Sequence, residues 1–308
     1  MSVYSSAGRA VKGQADGFTL VELLVVMALS GIIMTALLGM VFSAQKLYQN
    51  DTARAAVNQD ISVALNSLSN DGRQAGERMT SDFVALTVTG DPLSRVLTLR
   101  RGLLDVVLPV CKEVKAGTNT DVVFVSKNGG GSGSFPANCK DDSNESGLGI
   151  WKAYRLAQGG SVNAYIYNPK TKIGETFTYD AEDGSGQHLH KSSGKWLNDY
   201  PTEDEPRVYM LEELKYFLQA NVLYLAENGG VAQPFLPNVV SFEADPYIKG
   251  ALGVSTKVST DFPLGTQTWK DLQQLNVKIT ATAKAGTKTV QRDYSSSFTP
   301  RNVFSADY

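Results

Sequence analysis

The chain has 308 residues, with 29 Lys and Arg against 31 Asp and Glu, a net charge of −2. That near balance offers no broad positive field to a polyphosphate partner. The length is enough for one large sheet domain or two lobes behind an N-terminal membrane segment.

The first seventeen residues form a polar leader in which Arg9 and Lys12 stand against Asp16. Positive flanks stay cytoplasmic, so everything after the apolar run is expected outside the inner membrane. Gly17-Phe18-Thr19-Leu20-Val21-Glu22 follows, and from Leu23 to Ala44 no charged residue occurs. As a helix that run is about 33 Å long, enough for a bilayer core. A secretory signal peptide cut near Val41-Phe42-Ser43-Ala44 would have a shorter apolar core. A plain single-pass anchor explains the hydrophobicity but neither Glu22 nor the Gly17–Phe18 step, and a soluble core helix does not explain so long an uncharged run. Glu22 is the informative residue: a carboxylate in lipid costs about 2.5–3.5 kcal/mol, which calls for a specific partner.

These six residues and the run behind them resemble the class III prepilin signal of type IV pilins and type II secretion pseudopilins. The resemblance implies cleavage between Gly17 and Phe18 by a membrane prepilin peptidase, which also methylates the new Phe18 amine. It implies that Glu22 pairs with the N-terminal amine of a neighbouring subunit. In a low-dielectric bundle each of those charges alone carries a large desolvation cost, and pairing relieves both.

No Gly or Pro interrupts the chain between Met40 and Asp71. Val57, Ile61, Leu65 and Leu68 recur at spacings of four, four and three, one stripe on a helix, which predicts that the helix leaves the bilayer and packs beneath a folded domain. From Phe18 to Ser69 it would be about 78 Å long. Gly31 and Gly39 lie in its lipid-spanning half, where they either weaken the helix locally or admit close helix packing.

Asp71-Gly72-Arg73-Gln74-Ala75-Gly76-Glu77-Arg78 ends this helix, with glycines suited to a left-handed cap and charges expected in a solvated turn. The stretch is similar to the acidic-Arg-x-Ala-Gly segment of PilW-like minor pilins, which also often close with a strand followed by Arg-Asn, as Phe298-Thr299-Pro300-Arg301-Asn302 does here. The shorter pseudopilin J of type II secretion shares the overall plan.

Beyond Phe83, short Val-, Tyr-, Phe-, Thr- and Leu-rich runs alternate with Gly, Asn, Asp and Pro, the pattern of antiparallel sheets. Strands are expected at Phe83–Thr89, Arg95–Arg100, Asp105–Val110, Val122–Ser126, Trp151–Leu156, Val162–Tyr167 and Thr176–Tyr179. Further strands are expected at Val208–Phe217, Val222–Ala226, Val239–Ala244, Leu275–Ala283 and Thr287–Tyr294. Thr268–Gln273 reads as helical, and Glu212–Gln219 admits a helix as well as a strand. The fold class is therefore α+β, a long N-terminal helix on a mainly antiparallel sheet domain. Its divisions are a leader at 1–17, a helix at 18–70 that spans the membrane within 18–44, and a sheet domain at 71–308.

Cys111 and Cys139 are an even pair in a domain expected outside the cytoplasm, where a disulfide leads over two free thiols and a metal site. Between them lies the flexible run Asn128-Gly129-Gly130-Gly131-Ser132-Gly133-Ser134, which lacks the Lys-Ser/Thr of a phosphate loop. His188 and His190 have no nearby Cys or Glu-x-x-His pattern and are read as exposed loop residues. Glu203-Asp204-Glu205 reads as a solvated loop in preference to a cation site. Arg95, Arg100 and Arg101, with Lys112 and Lys115 and the aromatics Trp151, Tyr154, Tyr165 and Tyr167, are the candidates for nucleic-acid contact. Aromatics at strand spacing are more often sheet core, so direct nucleic-acid binding is not expected.

No catalytic residues, metal or cofactor are expected, and no enzyme activity. The expected partners are the prepilin peptidase, other minor and major pilins, the inner-membrane assembly platform and membrane lipid. The resemblance implies a single-pass inner-membrane protein with a periplasmic domain, later placed in a pilus, at its tip or nearby. It further implies a part in priming assembly for twitching motility, adhesion or DNA uptake. A type II secretion pseudopilin, a glycan-binding tip adhesin and a tethered enzyme are the alternatives.

Overall fold

Helix α1 runs unbroken from Leu20 to Gln74, 55 residues, or about 82 Å. The computed structural model describes residues 19–80, 82–127, 135–139, 146–182, 188–250, 254–265, 267–285 and 288–304. The glycine-rich run 128–134 lies outside them. Gly31 and Gly39 sit in continuous helix with no atom close to where a Cβ would stand. Up to Asp60 no side chain of α1 is fully buried, and Leu20, Leu24, Ile32, Leu38 and Phe42 are all exposed. Burial begins abruptly at Ile61 and continues through Ala64, Leu65, Leu68 and Ser69, with Val57 partly covered. The apolar stripe predicted from sequence is this buried face. Covering its larger side chains is worth about 1.5–3 kcal/mol each.

The stripe packs on two antiparallel sheets. The first is built from β1 (Leu86–Thr89), β2 (Val96–Gly102), β9 (Leu211–Gln219), β10 (Val222–Glu227) and β11 (Gln233–Pro237), in the order β1-β2-β9-β10-β11. The second contains β12 (Val239–Lys249), β13 (Ser255–Lys257), β14 (Leu272–Ala285) and β15 (Lys288–Phe298), in the order β13-β12-β14-β15. Leu97, Leu223, Val239, Phe242, Val277 and Ile279 join the α1 stripe in one core.

A third, six-stranded sheet has its own core. It is made of β3 (Leu108–Pro109), β4 (Val122–Phe124), β5 (Val162–Asn168), β6 (Ile173–Glu182), β7 (His188–Lys191) and β8 (Arg207–Tyr209), in the order β3-β8-β5-β6-β7-β4. Its core gathers Trp151, Ile166, Phe177, Trp196, Tyr200 and Val208. Phe83 links this lobe to the others: its ring lies 4.5 Å from Tyr167 and 4.6 Å from Tyr209, centroid to centroid.

Several expectations are corrected here. Trp151–Leu156 is not a strand but part of helix α2 (Ser146–Ala157). Leu148, Trp151 and Arg155, spaced three and four apart, form its buried face, and Trp151 donates to the Val106 carbonyl at 2.9 Å. Thr268–Gln273 holds only a one-turn 3-10 helix, Trp269–Asp271, before β14 takes over at Leu272. Glu212–Gln219 lies within strand β9 and is not helical. The expected strand Val208–Phe217 is interrupted at Met210, because the chain leaves the third sheet through β8 and enters the first through β9. His188 and His190 lie on strand β7, with ring centroids 5.1 Å apart and His188 beside Phe124, and not in an exposed loop.

Cys111 and Cys139 form a disulfide, with Cα atoms 5.8 Å apart and a sequence separation of 28. Closing a loop of that size contributes about 3.5 kcal/mol on the chain-entropy model. Replacing both cysteines by serine is expected to lower unfolding free energy by about 2–4 kcal/mol, measured by urea titration of oxidised wild type against the variant.

A buried ion pair fastens α2 to β6. Arg155 donates to Glu182 at 3.0 Å and 2.8 Å, and Tyr179 donates to the same carboxylate at 2.6 Å. Desolvation alone would raise the pKa of Glu182. The hydrogen bonds from Arg155 and Tyr179 and the nearby charges of Arg155 and Lys152 outweigh it and hold the value below that of an ordinary glutamate. A depressed carboxylate contributes stability that is present at neutral pH and lost as pH falls through its folded value. Between about pH 4.5 and pH 2, Glu182→Gln is expected to lose less stability than wild type. Denaturant melts across that range test it, and equal losses would refute the role assigned to Glu182.

Candidate functional site

Two parts of the chain bear on assembly: the start of α1 and the junction where α1 meets the sheets. Gly17 and Phe18 lie outside the described residues. Thr19 caps the helix, and its hydroxyl accepts from the Glu22 amide at 3.3 Å. In return, Glu22 Oε2 accepts from the Thr19 amide at 3.0 Å and from its hydroxyl at 2.9 Å. This reciprocal arrangement satisfies helix donors that would otherwise face an apolar medium. Glu22 Oε1 accepts no hydrogen bond among the described residues, so one carboxylate oxygen stays open to a cation from outside the chain. Sequence reasoning treated Glu22 only as an intersubunit acid. The Thr-x-x-Glu spacing was the signal that it also caps its own helix.

Two hydroxyls in the apolar stretch behind Glu22 are satisfied within the helix. Ser30 donates to the Val26 carbonyl, and Thr35 donates to that of Gly31 at 2.9 Å. The segment is one helix long and apolar enough to cross a membrane, with a mean hydropathy of 2.4 over its most apolar window and none of that window buried.

At the other end, the two segments that carry the minor-pilin resemblance meet. The Gly72 Cα lies so close to the Phe298 ring that an added Cβ would stand 2.0 Å from its Cε2 atom. Gly76 has φ +78°, and a Cβ there would lie 2.1 Å from Cη2 of Trp269. Asn302 donates to the Ala75 carbonyl at 3.2 Å, and the Gly76 amide donates to the Arg100 carbonyl at 2.8 Å. Asp71, expected in a solvated turn, instead accepts from the Tyr216 hydroxyl at 2.6 Å. Burial, with Asp71 as acceptor, pushes the Tyr216 phenol well above its ordinary value, so it remains a donor at any physiological pH. The stretch is therefore a socket that fixes the helix end against β9 and β15.

The candidate nucleic-acid residues are engaged elsewhere. Arg95 is 2% exposed and donates to the carbonyls of Gly90 at 2.5 Å and Ser259 at 2.8 Å. Arg100 pairs with Glu213 and Arg101 with Glu212, both at 2.6 Å. Lys112 lies over the Phe124 ring, and Lys115 pairs with Glu113. Tyr165 and Tyr167 are buried around Phe83, and Tyr154 packs on the third sheet's core. Of the acidic run, Asp204 is bound by Asn168 at 2.8 Å and Lys170 at 3.0 Å and is not a free loop charge. No cluster of three or more His, Cys, Asp or Glu able to hold a metal occurs among the described residues.

Comparison with known proteins bears on the N-terminal part of the chain. Residues 14–38 match the model of the prokaryotic N-terminal methylation motif. No match was found among curated proteins or among solved structures. The methylation motif and the transmembrane-capable helix behind it support a pilin- or pseudopilin-type subunit, processed by a prepilin peptidase and assembled with other such subunits.

Proposed function

We propose that this chain is a minor pilin of a type IV pilus, of the PilW-like group, that helps to prime pilus assembly. The observation that carries this reading is the division of α1. Its first part is an exposed apolar rod behind a methylation motif, and one face of its last turns, from Ile61 onward, is buried under a large sheet domain. Such a subunit waits in the inner membrane with its sheet domain in the periplasm, then moves its rod from lipid into the helical core of a filament. Its mechanism is assembly, without a catalytic step or a cofactor. The sheet domain selects neighbours, and its bulk suits a place at the filament tip. The socket formed by Asp71–Gly76 with Phe298 and Asn302 favours the minor-pilin reading over the pseudopilin one, since both resemblance segments serve one structural purpose.

Mass spectrometry of the protein produced with a prepilin peptidase tests the first step. The expected N-terminus is methylated Phe18, and Gly17→Ala is expected to abolish it. An intact Met1, or a cut near Ala44, would overturn the proposal. Deletion of the chain is then expected to reduce surface pili at least tenfold by shear-fraction assay, with loss of secreted enzymes pointing instead to type II secretion.

A further inference from the structure

Among the described residues the three sheets have six edges, and five of them are blunted. β3 is two residues long and ends in Pro109, while β4 and β13 have three residues each. β1 has four residues and is closed by a bridge between Val88 and Phe262. β11 carries Pro234 and Pro237 and a register shift. β15 differs on every count: it is 11 residues long, has no proline, and pairs with β14 without a register shift. Its outer side forms no backbone pairing among the described residues. A long edge without proline, bulge or bridge is a template for an incoming strand, even where it carries charges such as Arg292 and Asp293.

The flank of this edge is also unfinished. A groove of about 750 Å³ lies between α1 and β15, lined by Asn58, Gln291, Arg292, Asp293 and Tyr294. Within it, Asn58 Oδ1 is buried and accepts no hydrogen bond. Arg292 forms no ion pair among the described residues, although the adjacent Asp293 lies 3.7 Å from Lys278. The buried Asn58 Oδ1 calls for a donor that the described residues do not supply, while Arg292 stands exposed beside it, open to an acidic partner.

The direction of β15 restricts the occupant. Asn58 faces Gln291–Tyr294, Ser69 meets Ser296 at 3.0 Å, and Gly72 abuts Phe298. β15 and α1 therefore run the same way. Antiparallel pairing of β15 with β15 of a second copy would point the two α1 helices in opposite directions, which two chains anchored in one membrane cannot adopt.

We infer that the β15 edge accepts an extended strand from a different pilin-type subunit, with an acidic side chain against Arg292 and a donor to Asn58. The contact is strand addition: backbone hydrogen bonds supply affinity, and the groove supplies selectivity. It is heterologous, the interface type from which helical filaments grow. This inference rests on the subunit reading above.

The test places p-benzoylphenylalanine at Gln291 or Ser295 of the full-length chain, produced in membranes with the prepilin peptidase and companion pilins. Position Val231, exposed on the β10–β11 turn, is the control. Irradiation is expected to give an adduct whose second component is a pilin-type subunit by mass spectrometry, from the β15 positions and not from Val231. Arg292→Glu is expected to cut its yield roughly tenfold or more, and Arg292→Lys is expected to retain it. A correctly processed chain that enters filaments without a β15 adduct, or with an adduct to itself only, overturns this inference alone. An unprocessed chain overturns the subunit reading and this inference with it.

Discussion

Gly76→Ala is expected to destabilise the protein by about 2–4 kcal/mol. The left-handed backbone, at φ +78°, costs a residue with a Cβ about 1 kcal/mol. The new methyl would also stand 2.1 Å from Trp269, itself only 2% exposed, and overpacking of this kind costs about 1–3 kcal/mol. Thermal unfolding of the detergent-solubilised chain should shift downward by about 2–4 °C per kcal/mol. Trp269→Phe removes Cη2 and Cζ3, the ring atoms nearest the new methyl, so adding Gly76→Ala to Trp269→Phe should cost only the backbone part, less than it costs in wild type. Gly31→Ala and Gly39→Ala are the contrast. Nothing surrounds either position, so alanine should be neutral or should strengthen the helix by up to about 1 kcal/mol. If Gly76→Ala melts with wild type, the socket is not rigid and the junction reading fails.

Glu22→Ala is expected to leave cleavage and Phe18 methylation intact while lowering incorporation into filaments by a hundredfold or more. Removing one partner of a buried charge pair costs about 3–5 kcal/mol, because the other charge is left without compensation. The capping geometry makes two roles separable. Thr19→Ala removes the cap, keeps the charge and should cost about 1 kcal/mol of helix stability with only a modest effect on incorporation. Glu22→Gln keeps a side chain able to accept from the cap but discards the charge. Filaments from the two variants, quantified beside total processed protein, separate the roles. Wild-type incorporation of Glu22→Gln would show that the carboxylate matters for capping and not for docking.

The membrane-capable helix was legible in the residues because its information is local. The uncharged run, the lone acid at Glu22 and the Gly17–Phe18 step need no distant partner to be recognised. The stripe Val57, Ile61, Leu65, Leu68 was equally readable, since a 3.6-residue period shows which face seeks cover. Most of the long strands were visible for a similar reason, as their alternation survives from end to end. Short or shared elements were not. The run Trp151–Leu156 is too short to show a period by itself, and the core formed by Trp196, Tyr200 and Phe177 covers the helical face that carries Leu148, Trp151 and Arg155. The interruption at Met210 reflects the transfer of one chain segment between two sheets, which no residue pattern announces.

The sequence by itself determined that a membrane-length rod is followed by a β-rich domain. Periodicity and charge placement are properties of neighbouring residues, and they suffice for that order. Only the tertiary structure decided what the glycines at 72 and 76 are for, since their neighbours Phe298 and Trp269 arrive from some two hundred residues away. It also decided that Arg95, Arg100 and Arg101 are held by carbonyls and carboxylates within the fold. It alone showed that, among the described residues, the β15 edge was left long and open, because an edge exists only once strands have chosen their partners.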